Sequence, residues 1–166
     1  MYLTMTIYGF ALDSIAQMPV VLLKNADESS TLPIWINSSD ALYIVAELVR
    51  HEASSRSDRK DLLSALLRHL QADVEDIAID DMKDGLISAS VGLTVGGEPL
   101  RLDVRVSEAL VMALKHSLPV MVASHLLDTS MSPSDTEHEH FTEADERRFV
   151  DFLDNLDPAD LGKYPM

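Results

Sequence analysis

A strand that runs straight into a helix apolar on every side sets the tightest limit on this fold. In "RLDVRVSEALVMALKH", residues 101–116, Leu102 and Val104 share one face of an alternating strand with Leu100, while Arg101, Asp103 and Arg105 share the other. From Ala109 to Leu114 every residue is apolar, so the helix must be covered on most of its sides. A sheet and further helices around it meet that need. Ser107 is suited to cap the helix, and Glu108 in its first turn gains ~0.3–1 kcal/mol from the helix dipole. Residues two apart on a strand lie about 6.5–7 Å apart on one face. Asp103 and Arg105 are therefore expected to hold one another or to grip a common ligand.

The same junction occurs earlier in the chain. Ser39-Asp40-Ala41-Leu42 matches Ser107-Glu108-Ala109-Leu110 at a spacing of 68 residues, with "PIWI" and "RLDV" in register before them. Strands are expected over 3–11, 19–24 and 31–36, followed by a helix with Ser38 or Ser39 as cap and Leu42, Val45, Leu48 and Val49 on one face. A second helix, capped by Ser57 or Asp58, presents Leu62, Leu63, Leu66, Leu67 and Leu70. Strands follow over 74–81, 86–95 and 99–105, then a helix from Ser107 to about Ser117 and a short strand over 120–123. The order predicts a duplicated βββα unit with buried helices. Trp35 faces away from Ile34 and Ile36, toward a second packing layer or a pocket.

Residues 1–127 form the expected domain, 128–141 an acidic Ser/Thr-rich linker, and 142–166 a C-terminal helix and tail. Thr142 to Asp145 resemble a capping box, and Phe149, Phe152, Leu153 and Leu156 make one apolar stripe. That helix is expected to dock on its own domain or on a second subunit. The 166 residues suit a single domain of this kind.

Charge narrows the partners. Of the net −15, residues 1–127 contribute 17 acidic against 10 basic groups, and residues 128–163 contribute 11 against 3. Nucleic acid is repelled by such a chain unless a local basic patch or a bound cation reverses the field. The one basic concentration is Arg50, Arg56, Arg59, Lys60 and Arg68, without interleaved aromatics for base stacking. His138 and His140 offer weak metal ligands in the linker. The chain has no cysteine, which excludes disulfides and thiolate sites. No phosphate-binding glycine loop, nucleophile elbow or zinc-helix motif occurs. No apolar run approaches the roughly 20 residues of a spanning helix, and the first residues lack signal-peptide features. A soluble cytoplasmic protein without membrane association is the expectation.

Several stretches together resemble the bifunctional nuclease domain family over roughly residues 2–127: "LPIWI" followed by Asp40-Ala41, an Arg…Asp-Leu segment, Asp84-Gly85 before a strand, and "DVRVSEA". The ending "PADLGKY" also resembles the tail of bacterial members. Where the family typically has Asp-x-Arg-Pro-Ser-Asp-Ala, this chain keeps Asp103, Arg105, Ser107 and Ala109, with Val106 for Pro and Glu108 for Asp. In the middle motif, typically Arg-Pro-x-Thr-His-Asp-Leu, it keeps Arg56, Asp61 and Leu62, while Ser57, Arg59 and Lys60 replace Pro, Thr and His. The resemblance implies an α+β fold with mixed β-sheets, a nuclease acting on DNA or RNA, and a dimer. Asp103, Arg105, Glu108, Arg56 and Asp61 are then the candidates for chemistry. Asp103, Glu108 and Asp40 are candidates to hold Mg²⁺ or Mn²⁺, and Arg50, Arg56, Arg59, Lys60 and Arg68 to contact nucleic acid. The alternative is a catalytically degenerate member acting as a dimeric regulatory or ligand-binding module.

Overall fold

The computed structural model describes residues 1–54, 61–84, 86–128 and 142–156. Among the described residues seven strands form one sheet: β1 (Tyr2–Asp13), β2 (Met18–Asn25), β3 (Thr31–Trp35), β4 (Ala72–Lys83), β5 (Leu86–Val95), β6 (Glu98–Val104) and β7 (Val120–Ala123). Their order across the sheet is β3-β2-β1-β7-β4-β5-β6. Two antiparallel meanders therefore flank β7, which pairs antiparallel with β1 and parallel with β4. The sheet is mixed, and the fold is α+β. The meanders share a strand order, but shared order does not by itself establish a duplication, and β7 has no counterpart.

The helices are α1 (Ser38–Ser54), α2 (Leu62–His69), α3 (Val106–His116), α4 (His125–Asp128) and α5 (Glu143–Asp154). The apolar helix is α3, with Ala109, Leu110, Val111 and Ala113 buried against β4, β5 and α1. Its core partners include Met5, Val21, Leu23, Ile34, Ile44, Ile77, Ile79, Val120 and Val122. Completely burying a side chain of this size stabilises by roughly 1.5–3 kcal/mol, which is why the all-apolar "VMVA" of β7 sits at the centre of the sheet. Gly96 (φ 57°) and Gly97 (φ 90°) turn β5 into β6 through backbone angles that favour glycine. Leu32 and Trp35 of β3 meet Ile79, Met82 and Ile87 of β4–β5 and Leu126 of α4 round an apolar cavity of about 30 Å³. Strands so far apart in the order share that cavity because the sheet curls. Trp35 also packs with Ala11, Val20 and Leu22, and its indole N–H donates to Asp13 at 2.9 Å.

The C-terminal helix docks on its own domain. Phe149 is buried and stacks on Phe10 of β1 at 5.4 Å between ring centroids, with Phe152 at 6.4 Å on its other flank. Asp145 accepts from the backbone N–H and hydroxyl of Thr142 at 2.8 and 2.9 Å, fixing the helix start. The linker, with His138 and His140, lies outside the described residues.

Three caps differ from expectation. Asn37, rather than Ser38 or Ser39, accepts from the Asp40 N–H at 2.8 Å. Asp61 is the cap of α2, accepting from the Ser64 N–H at 2.9 Å; Ser57 and Asp58 lie outside the described residues. Extended Arg105 occupies the cap position of α3, so Ser107 falls inside the helix, fully buried and with its hydroxyl unpartnered among the described residues. The leucine face of α2 is also largely exposed: Leu62 (76% exposed), Leu63, Leu66 and Leu70 are exposed, whereas Leu67 is half-buried against the core.

Candidate functional site

The two matching junctions meet in space. α1 and α3 pack against one another, which brings the first turn of α1, holding Asp40, beside the first turn of α3, holding Glu108. Arg105 lies between them. Its guanidinium is 3.2 Å from Glu108 and 3.8 Å from Asp40, and the side chain remains 70% exposed. Asn37 donates to the far oxygen of Asp40 at 3.0 Å. Tyr43, one turn into α1, donates its hydroxyl to the second oxygen of Glu108 at 3.0 Å. Burial and that bond to a carboxylate push the Tyr43 phenol up to about 12.

The expected Asp103–Arg105 pair does not form. Asp103 lies directly opposite Ser90 in the β5–β6 ladder, on the sheet face turned away from α1 and α3. Arg105 leaves the strand at the helix cap and swings to Asp40 and Glu108 instead. Strand alternation carries over only while the strand lasts.

Asp61 has a different setting from the junction. Its carboxylate caps α2 and lies 3.4 Å from Lys115 Nζ, at the far end of α3. The Ser64 N–H and hydroxyl, and then Lys115, hold Asp61 below the ordinary carboxylate range. Lys115, 14% exposed, also lies 3.4 Å from Oε2 of the buried Glu47. Alignment there falls short of a hydrogen bond, so the contact is an ion pair. Glu47 meets Arg50 at 2.8 Å on its other oxygen. This chain of charges ties α1, α2 and α3 together. Arg68 lies in the last turn of α2; Arg56, Arg59 and Lys60 lie outside the described residues.

Sequence reasoning missed Tyr43, Asn37 and Lys115. Tyr43 stands three residues after Asp40, on the same helix face, and that spacing was the available signal. Nothing local marks Lys115, whose partners come from two other helices.

The junction carries two carboxylates against one guanidinium, a net −1 that repels a phosphodiester. No three metal-ligating side chains gather among the described residues, so the junction offers carboxylates without an all-protein cage. Magnesium-type ions are commonly held by one or two carboxylates with substrate phosphates completing the shell, and Asp40 with Glu108 fits that chemistry.

A family model, the bifunctional nuclease domain, matches residues 21–135, which include Asp40, Asp61, Arg105 and Glu108. An uncharacterized protein of Mycobacterium tuberculosis, Rv1829 in strain ATCC 25618 / H37Rv and MT1877 in strain CDC 1551 / Oshkosh, is 26% identical over 160 residues, covering 93% of this chain and 95% of the relative. With more than half of its length matched by that family model, the chain belongs to the bifunctional nuclease domain family.

Proposed function

We propose that the chain is a divalent-cation-dependent nuclease that hydrolyses phosphodiester bonds of DNA, RNA or both at the α1–α3 junction. The observation that carries this reading is the meeting of Asp40, Arg105 and Glu108 at two adjacent helix starts. Arg105, exposed and held from two sides, is placed to clamp a phosphate oxygen. Helix N-termini on both sides add partial positive charge to the same spot. Asp40 and Glu108 would hold Mg²⁺ or Mn²⁺, which when bound neutralises phosphate charge and lowers the pKa of water. Tyr43 and Asn37 orient the two carboxylates. Asp103 and Asp61 have no part in this site: one belongs to the far sheet face, the other caps α2. Arg50 and Arg68, with Arg56, Arg59 and Lys60 nearby in sequence, would track the nucleic-acid backbone.

Supercoiled plasmid and single-stranded RNA incubated with Mg²⁺, Mn²⁺ or EDTA test the proposal. Cleavage of either polymer that needs the metal and stops with EDTA is the expected result. No cleavage of either polymer by folded protein would reject it.

A non-catalytic, dimeric regulatory or ligand-binding module is the second reading. The closed pairing of Glu108, with Arg105 on one oxygen and Tyr43 on the other, favours it. Under either reading we expect a homodimer, because the outward leucines of α2, and Leu100 and Leu102 on the edge strand β6, leave apolar surface uncovered. No helix among the described residues is long and apolar enough to cross a membrane, and a cytoplasmic location is part of the proposal.

A further inference from the structure

The sheet face turned away from α1 and α3 carries a polar network that the nuclease reading does not use. One row of neighbours crosses five strands: Thr4, Met121, Ala78, Ser90 and Asp103. The next row holds Asp76, Gly92 and Arg101. A bulge between Ile79 and Asp81 inserts Asp80 beside them, and bulges commonly re-aim a side chain. Asp80 accepts from the Tyr2 hydroxyl and from the Ser90 hydroxyl, each at 2.7 Å. Ser90, 1% exposed, in turn accepts from Arg101 at 3.0 Å. Arg101 grips both oxygens of Asp76, at 2.6 and 2.9 Å. A Cβ on Gly92 would meet Asp76 Cγ at 2.9 Å and the Arg101 guanidinium at 3.0 Å, so the bare glycine makes this grip possible.

Tyr2, Asp76, Ala78, Asp80, Arg101 and Met121 line an open pocket of about 530 Å³, within the range of small-molecule sites. Its charges are unequal. Arg101 grips Asp76 and also acts on Asp80 from a longer distance, whereas the hydrogen-bond partners of Asp80 are neutral hydroxyls, so the lining sets two carboxylates against one guanidinium. The Asp80 bond and charge raise the Tyr2 phenol above its ordinary value, which keeps it a neutral donor. A phosphate or carboxylate ligand is repelled here. An inorganic divalent ion lacks a third carboxylate among the described residues and gains nothing from the Tyr2 ring or the Met121 thioether. An ammonium group on an alkyl chain gains from all of them: Asp80 accepts its N–H donors, the ring face attracts the cation, and the thioether packs on its methylenes.

We infer that this pocket binds small organic cations carrying a primary ammonium group. The inference stands apart from the nuclease reading, because it concerns the opposite sheet face.

Calorimetric titration of the full chain with putrescine, beside the uncharged 1,4-butanediol, tests it. Saturable binding of putrescine without binding of the diol is expected, with shifts in the methyl NMR signals of Met121 and Ala78. Asp80→Asn should weaken binding about tenfold or more, as for a lost hydrogen bond to a charged group. Asp73→Asn, which removes the same charge from an exposed position of the same strand, should leave it unchanged. Tyr2→Leu, at an exposed strand end, gives the same test if Asp80→Asn fails to fold. Equal weakening by Asp73→Asn, equal binding of the diol, complete displacement by equimolar Mg²⁺, or no saturable binding would each overturn the inference.

Discussion

Tyr43 donates its hydroxyl to Glu108 at 3.0 Å, joining α1 to α3 through residues 65 apart in the chain. This bond fixes the carboxylate that the nuclease proposal uses, and burial together with the bond makes the phenol an unusually weak acid. Tyr43 should titrate at about 12, above the ordinary 10.0. The folded value lies above the unfolded one, so the contribution is complete below pH 10 and is lost as pH rises from 10 toward 12. Tyrosinate absorbance against pH, compared with Tyr43→Phe, reads this directly. A Tyr43 transition at the free-tyrosine value would contradict the bond. Tyr43→Phe should also cost about 1–2 kcal/mol in denaturant unfolding.

Lys115 is expected to matter more for stability than any exposed ion pair in the protein. It lies between the buried Glu47 and the capping Asp61, and its removal leaves Glu47 with Arg50 alone among its ion-pair partners in the described residues. Lys115→Met should cost about 2–4 kcal/mol at pH 7, since stripping one partner from a buried pair strands the other. The cost should shrink in acid. The depressed folded pKa of Asp61 gives a contribution present above the ordinary carboxylate value and lost as pH falls through the lower folded one. A cost equal at pH 7 and pH 3 would count against this role.

Phe149 anchors α5, and Phe149→Ala should destabilise by about 3–4 kcal/mol through lost burial and the cavity left against Phe10. Equilibrium unfolding followed by near-UV signal measures it. A loss below about 1 kcal/mol would mean that α5 contributes little to the fold.

Gly92 and Asp76 should be coupled. Gly92→Ala forces the Asp76 carboxylate and Arg101 apart, at a cost of about 1–2 kcal/mol. In an Asp76→Ala background much of that cost should vanish. A double-mutant cycle on unfolding free energies decides it, and strictly additive costs would show that the crowding is absent.

What the sequence disclosed divides by range. The all-apolar run of α3 and the alternation of β6 are local signals, and each became the element expected. The matching Ser39–Leu42 and Ser107–Leu110 stretches each lie at a helix start, of α1 and α3, although the duplication they suggested is not established. Ser107 misled because a serine before an apolar run ordinarily caps. Here Arg105 supplies the extended cap residue, and the helix begins at Val106. The leucines of α2 misled in the same way: periodicity identifies an apolar face without saying what covers it. The place of β7 between two meanders, the split of Asp103 from Arg105, and the Tyr2–Asp80 contact all depend on pairings across more than one strand. No window of sequence contains them.

The central claim is that Arg105, between Asp40 and Glu108, serves phosphodiester cleavage. The direct measurement is the cleavage rate of plasmid DNA and of RNA with Mg²⁺ or Mn²⁺, comparing the native chain with Arg105→Ala and Glu108→Gln. Because Arg105 is exposed, its loss should change stability by less than about 1 kcal/mol, so folding does not confound the comparison. We predict metal-dependent cleavage by the native chain and a rate lower by about a hundredfold or more in Arg105→Ala. Equal rates in the native chain and both variants, or no cleavage by the folded native chain, would contradict the account.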